Sequence, residues 1–242
     1  MRKDVLAALA CAGAMTCAGE AEAATYAINN FPITQDSRTP SGGIAAVGED
    51  ASFEGGVSGF YGQTFVAPSV GAVVANSLSF QMEWLGYGDG PFGPLKYRVL
   101  LVDAHDIASV NLDDVLFSTS ELTLPMGSGW TAVNIDLGST LVSGGQTYAW
   151  VIDGYSDRND TTGLAEVGTA NDFADGNLVY GGYFANPGIP LSQVVLSEFG
   201  EGIDLAFRME FASVPEPASW TMMLLGFFGL GAMLRRRGEV TA

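Results

Sequence analysis

The stretch Ile203-Asp204-Leu205-Ala206-Phe207-Arg208-Met209-Glu210-Phe211 places an apolar residue at every second position. This period puts the apolar side chains on one face of a β-strand, so it predicts a strand with one buried face and one face in water. Segments 78–84 and 131–137 repeat the pattern. Antiparallel sheets commonly bury one face in this way, so the pattern favours them.

Two further segments, 97–102 and 148–152, are apolar almost throughout and predict central strands. Weaker strand candidates are Gln63 to Ala67, Val115 to Ser118, Leu164 to Val167 and Leu178 to Phe184. Glycine and proline mark turns at 88–91, 127–129, 143–145 and 186–188, and residues 103–110 predict one short helical turn. We therefore predict an all-β protein whose body, residues 24–212, is one antiparallel β-sandwich.

The order of several short motifs suggests a particular sandwich. These motifs are Gly62-Gln63-Thr64-Phe65, Leu78 to Trp84, Leu95 to Asp103, Gly129-Trp130 and Gly144-Gly145-Gln146-Thr147-Tyr148. The pattern is similar to the jelly-roll, galactose-binding-like domains of secreted bacterial proteins. The resemblance implies a jelly-roll-like architecture.

The C-terminal end has a different composition from the body. Pro215 and Pro217 exclude a helix over residues 214–217, whereas residues 218–234 carry no charge and would rise about 25 Å as a helix. Trp220 suits one membrane interface and Arg235-Arg236-Arg237 the cytoplasmic one, so we predict a short transmembrane helix. A buried C-terminal core helix is the alternative interpretation.

These residues resemble the PEP-CTERM sorting signal of Gram-negative bacteria. Its V-P-E-P-x-x-W-A form is matched, except at the final Ala, by Val214, Pro215, Glu216, Pro217 and Trp220, with the arginine cluster after the apolar run. Thr221 stands where that form usually has Ala. The resemblance, over residues 213–238, implies processing by an exosortase and a link to exopolysaccharide and biofilm. The same tail is also known as an ice-binding protein C-terminal domain.

The N-terminal end predicts export. Residues 1–23 combine a basic start, an Ala-rich apolar segment and the A-x-A site Ala21-Glu22-Ala23, so we expect a signal peptide cut before Ala24. An uncleaved anchor is the alternative. Both cysteines of the chain lie in this segment, so the body can hold no disulfide, thiolate zinc site or cysteine nucleophile.

The formal net charge of −17 resides in the body, because the two ends carry equal numbers of acidic and basic residues. Phosphate groups would be repelled, so we expect no nucleic-acid partner. His105 is the only histidine, and no Gly-x-Ser-x-Gly elbow is present, which leaves little for nucleophilic catalysis. We predict that the protein is not an enzyme; the alternative is a secreted polysaccharide hydrolase that uses a carboxylate pair.

Two sets of residues are candidate binding sites. Oxygen-bearing side chains follow a predicted strand at Asp153, Asp157, Asn159 and Asp160, which suits a structural Ca²⁺, the one cofactor that we consider; Asx-turns in a solvated loop are the alternative. A second such loop holds Asn171, Asp172, Asp175 and Asn177. Tyr155 and Tyr183, in glycine-rich surroundings, are candidates for stacking on a sugar ring, with ordinary packing as the alternative.

Together these features predict an exported protein of the cell envelope membrane, cell surface or extracellular matrix of a Gram-negative bacterium. Its partners would be an exosortase, the membrane through the C-terminal helix, and exopolysaccharide. The body would be structural or glycan-binding. Ice binding is a further alternative, although the threonines of the body form no regular array.

Overall fold

The computed structural model describes residues 23–30, 43–50, 57–85, 93–104, 106, 109–154, 164–170, 173–184, 194–198, 204–214 and 226–229. The strands are β1 (Thr25–Asn29), β2 (Gly43–Asp50), β3 (Val57–Val66), β4 (Ala72–Leu85), β5 (Leu95–Asp103), β6 (Ser109–Asn111), β7 (Val115–Ser118), β8 (Leu122–Leu124), β9 (Thr131–Ser143), β10 (Thr147–Asp153), β11 (Leu164–Ala170), β12 (Leu178–Phe184), β13 (Val195–Glu198), β14 (Asp204–Leu205) and β15 (Phe207–Ser213). Residues 226–229 are helical. Contacts divide the chain into two compact units, Thr25–Ala212 and the two ends together.

The all-β prediction is confirmed. In β15, Phe207, Met209 and Phe211 are fully buried, whereas Arg208 and Glu210 between them are exposed. The single strand predicted over residues 203–211 is interrupted at Ala206, which separates β14 from β15.

The strands follow the order β1-β15-β4-β11-β2-β3-β10-β5-β7, with β9 on β4 and β12 on β3. Neighbouring strands are antiparallel, as the pairs β4–β9 and β10–β3 illustrate. Strand β2 joins two groups of strands, since Ile44 pairs with Val167 of β11 and Asp50 pairs with Val57 of β3. The strands around β4 therefore form one sheet and the strands around β3 the other.

Aromatic side chains fill the space between the two sheets. The Trp150 ring of β10 stacks on the Phe80 ring of β4, with ring centroids 5.0 Å apart. The ring centroids of Phe65 in β3 and Phe211 in β15 are 6.1 Å apart. All four side chains are at most 1% exposed. Burying one such side chain stabilises the fold by about 1.5–3 kcal/mol, so this layer is a main source of stability.

The sheet around β3 is also buried on the face that points away from the sheet around β4. There Leu100 of β5 and Val151 of β10 form a second apolar cluster with Val110, Leu112 and Leu196. Burial on both faces explains why segments 97–102 and 148–152 are apolar almost throughout. The short helical turn predicted over residues 103–110 is wrong at both ends: Asp103 is the last residue of β5, and Val110 of β6 pairs with Leu196 of β13.

Candidate functional site

The predicted sorting motif begins where the last strand ends. Val214 follows β15 and is 37% exposed. The other motif residues, Pro215, Glu216, Pro217, Trp220, Arg235, Arg236 and Arg237, lie outside the described residues. Most of the predicted helix over 218–234 does too, apart from 226–229, where Phe227 and Phe228 are 70% and 74% exposed. Within the described ranges, no helix has the length and apolar character needed to span a membrane.

The predicted signal cleavage position lies beside the start of the sorting motif. Ala21 is outside the described residues, and Ala23 and Ala24 are exposed. The backbone N–H of Ser213 donates to the carbonyl oxygen of Ala24 at 2.8 Å, and the N–H of Ala24 donates to the Ser213 hydroxyl at 3.0 Å. Two hydrogen bonds thus connect the first residue after the predicted signal peptide with the residue that precedes Val214 of the sorting motif.

One of the four predicted calcium ligands is placed. Asp153 is 1% exposed at the end of β10, and its carboxylate accepts a hydrogen bond from Arg98 Nη2 at 2.5 Å. Asp157, Asn159 and Asp160 lie outside the described residues, as does His105. The described part of the chain holds no group of three or more His, Cys, Asp or Glu side chains suited to a metal ion. The calcium site therefore stays a prediction.

A second buried carboxylate, which the sequence reading did not single out, belongs to Asp204. Its Oδ1 accepts a hydrogen bond from Gln63 Nε2 at 2.9 Å, and its Oδ2 accepts the backbone N–H of Phe173 at 2.8 Å. Gln63 Oε1 in turn accepts the N–H of Leu205 at 2.8 Å. This network ties three distant chain segments together inside the body.

The Asn177 end of the second predicted calcium loop is held by a threonine. Thr64 Oγ1 donates to the carbonyl oxygen of Asn177 at 3.1 Å, and the Asn177 N–H lies 2.8 Å from the same hydroxyl. Asp175 is exposed, and Asn171 and Asp172 lie outside the described residues. Gln63 and Thr64 of the Gly-Gln-Thr-Phe motif are therefore both fully buried anchors.

The predicted sugar-binding tyrosines are placed only in part. Tyr155 lies outside the described residues, and Tyr183 of β12 has Ser58 of β3 as its backbone partner. The structure instead places Tyr180 directly opposite Tyr61 on these two strands. Their ring centroids are 6.3 Å apart with 28° between the planes, and Tyr180 is 42% exposed. Tyr61 was missed because its partner depends on the register of strands far apart in sequence.

Burial, and to a lesser degree the neighbouring Tyr180, raises the pKa of Tyr61 above that of a free tyrosine. Burial alone raises the pKa of Tyr97 to about 12. Both hydroxyls therefore stay protonated at neutral pH, and the Tyr61 hydroxyl can donate as well as accept hydrogen bonds.

Comparison with protein families finds the PEP-CTERM protein-sorting motif at residues 213–237. The chain thus combines an all-β body with this motif, as its sequence predicted. The motif implies an exported protein that an exosortase sorts to the cell surface. A search of curated proteins finds no match.

Two of the solved structures that resemble the chain contain Cwp84, a surface layer associated cysteine protease of Clostridium difficile. The form after propeptide cleavage has a TM-score of 0.48 at 9% identity, covering 78% of this chain and 40% of that one. The structure of its cysteine protease and lectin-like domains has a TM-score of 0.43 at 8% identity, covering 64% and 32%. This chain thus matches less than half the length of either structure.

Proposed function

We propose that this protein is a non-enzymatic component of the cell surface or extracellular matrix whose β-sandwich body binds exopolysaccharide. The observation that carries the proposal is the PEP-CTERM motif at residues 213–237, directly after the last strand of the body. A body routed in this way meets the polysaccharides outside the cell, so biofilm matrix is a natural place for it to act.

The packing of the body supports a non-enzymatic role. Large aromatic side chains, such as Trp150 and Phe80, occupy the space between the two sheets. The two buried carboxylates among the described residues both have structural partners: Asp153 is paired with Arg98, and Asp204 with Gln63 and Phe173. A glycosidase needs two carboxyl groups that face one cleft with their oxygens available to substrate, and these two are otherwise engaged.

The routing part of the proposal is tested by the intact mass of the protein in the membrane, cell-surface and secreted fractions of its host. We expect a mature product that begins at Ala24 and ends near the Pro-Glu-Pro motif. Pro217→Ala should leave the tail uncut and the protein in the membrane fraction. Pro125→Ala, which changes an exposed proline of the body, is the matched control and should be processed normally. A full-length cytosolic product would overturn the proposal.

The polysaccharide part is tested with the mature protein from the surface fraction, by native electrophoresis through gels that contain defined polysaccharides. Binding should slow the protein relative to a gel without polysaccharide. The mass analysis of the cell fractions does not depend on polysaccharide binding. The routing and binding parts of the proposal can therefore fail separately. Release of reducing sugar from the same polysaccharides would instead support a hydrolase.

A further inference from the structure

Tyr61 and Tyr180 form a two-ring surface at the border of the core. They are cross-strand partners on β3 and β12, with centroids 6.3 Å apart and only 28° between the ring planes. Tyr180 is 42% exposed. The two rings lie roughly parallel to each other, and the outer one, Tyr180, is partly exposed to water.

The surface is a continuation of the sheet beyond its covered region. A row of paired residues runs across four strands from Ile152 of β10 through Tyr61 and Tyr180 to Ser197 of β13. Along this row exposure rises from 0% at Ile152, through a partly buried Tyr61, to 42% at Tyr180 and an exposed Ser197. The core therefore fixes the Tyr61 ring, which packs against the apolar cluster, while the Tyr180 side chain is 42% exposed.

The neighbouring row of the same face carries no side chains on these strands. Gly59 and Gly182 are partners two residues further along β3 and β12, and Gly48 of β2 is the second partner of Gly59. Side chains two residues apart in a strand point to the same face, so β2, β3 and β12 contribute only glycine to this row beside the rings. On β13, Val195 stands two residues from Ser197 and is 53% exposed. Aromatic rings, glycines and an exposed valine suit an uncharged ligand with an apolar face better than an ion.

We propose that Tyr61 and Tyr180 form a stacking site for a sugar ring of a neutral polysaccharide, an inference that rests on the proposed function. The apolar C–H face of a pyranose packs on an aromatic ring, and the tyrosine hydroxyls can exchange hydrogen bonds with sugar hydroxyls. The net charge of −17 repels anionic polysaccharides, whereas a neutral polymer meets no such barrier. Ser197 adds a further hydroxyl at the outer side of the rings.

The test is affinity electrophoresis of the mature protein through gels that contain a β-glucan, a galactan, a mannan or the anionic polymer alginate. We expect retardation in at least one neutral gel. Tyr180→Ala should weaken binding about tenfold, equivalent to about 1.4 kcal/mol, whereas Tyr180→Phe keeps the ring and should retain most of the affinity. Leu141→Ala, which removes a side chain that is 62% exposed on β9, is the matched control and should bind normally.

Each other outcome has a defined meaning. Neutral binding that survives Tyr180→Ala would place the glycan site elsewhere and overturn this inference, while the proposed function stands. Absence of binding to every neutral polymer would overturn both the inference and the glycan-binding part of the proposed function. Retardation in alginate alone would overturn the neutral-ligand assignment. A dimer in sedimentation that Tyr180→Ala dissociates would assign the rings to self-association and likewise overturn the inference.

Discussion

Ser213 and Ala24 are joined by two hydrogen bonds, of 2.8 Å between their backbones and 3.0 Å from the Ala24 N–H to the Ser213 hydroxyl. They continue the ladder in which Thr25 to Asn29 of β1 pair with Ala212 to Arg208 of β15. The first and last strands of the body thus pair with each other. Removal of a signal peptide before Ala24 and of a tail after Val214 would leave this strand pair whole.

We expect Asn30→Ala to lower the free energy of unfolding by about 2 kcal/mol. The Asn30 amide bridges the gap between β14 and β15, since its Nδ2 donates to the Leu205 carbonyl and its Oδ1 accepts the Phe207 N–H, both at 2.7 Å. Without it, two buried backbone groups lose a partner, at about 1–3 kcal/mol for each group left unsatisfied. Urea unfolding measures the change.

Ser213→Ala is the matched comparison for this experiment. It removes one side-chain hydrogen bond at an exposed position, where water can replace the lost partner, so we expect a change below about 1 kcal/mol. Equal effects of the two substitutions would show that the amide bridge of Asn30 is not a special feature of the strand junction.

Asp204→Ala should destabilise the body by about 3 kcal/mol. The carboxylate is 5% exposed and accepts hydrogen bonds from Gln63 Nε2 and from the Phe173 N–H, so its removal leaves two donors to be satisfied in the interior. Asp175→Ala, at an exposed turn position, should change stability by less than about 0.5 kcal/mol. Thermal unfolding of both variants provides the measurement, and similar melting temperatures would contradict the role assigned to Asp204.

The sequence predicts the strands that alternate strictly or are continuously apolar, because those patterns follow from burial of one or both faces. It also predicts the bounds of β7 and β12 as observed. It misses β1, β2, β6, β8 and β13. Their pattern is short or weak, and β1, β6 and β13 are fixed by partners that are distant in the chain, as β1 is by β15. The break at Ala206 was missed for the same reason. The residues on either side of it, Leu205 and Phe207, are hydrogen-bonded by Asn30, which lies at the other end of the body.

Arg98→Ala should lower the free energy of unfolding by about 2 kcal/mol. Breaking a fully buried ion pair costs about 3–5 kcal/mol, and the value here is lower because 33% of the Arg98 side chain is exposed. Because the Asp153 carboxylate is engaged by Arg98, we expect Asp153→Asn to lower the melting temperature by the same amount with and without millimolar Ca²⁺.

Calorimetric titration with Ca²⁺ completes this test. A calcium-dependent melting shift in the wild-type protein that Asp153→Asn abolishes would mean that this carboxylate binds the metal rather than serving Arg98 alone. If the shift survives Asp153→Asn but is lost in Asp160→Ala, the predicted site exists without Asp153. Absence of both heat and shift would exclude the calcium site.

Alkaline pH should destabilise the protein through Tyr97. Its pKa is raised to about 12 by burial, whereas an unfolded tyrosine titrates near 10. Between these values the folded state binds more protons than the unfolded state, so stability falls as pH rises from about 10 to 12. Tyr97→Phe cannot ionise and should flatten this part of the pH profile. An unchanged slope in urea unfolding at several pH values would contradict the assignment.

The candidate binding surface shows most clearly what sequence can and cannot provide. Tyr180 lies in a predicted strand, but its neighbour Tyr61 lies more than 100 positions earlier in the chain, and only the register of β3 and β12 brings the rings together. Composition alone gives no reason to bury the polar residues Gln63 and Thr64. Their burial follows from Asp204 and Asn177, whose positions depend on the tertiary fold.

Gly176→Ala should destabilise the body by at least about 2 kcal/mol, because a Cβ atom there would lie 1.8 Å from the Thr64 carbonyl oxygen. The obstacle is backbone, so relief requires the loop around Asn177 to move away from β3 and to break the hydrogen bonds of Thr64. Gly129→Ala is the matched control: its nearest neighbour would be Glu83 Oε1 at 3.9 Å, an ordinary contact. We expect it to unfold at nearly the wild-type urea concentration. If both alanine variants unfold together with the wild-type protein, the loop is not fixed against β3, and the anchoring role of Thr64 is wrong.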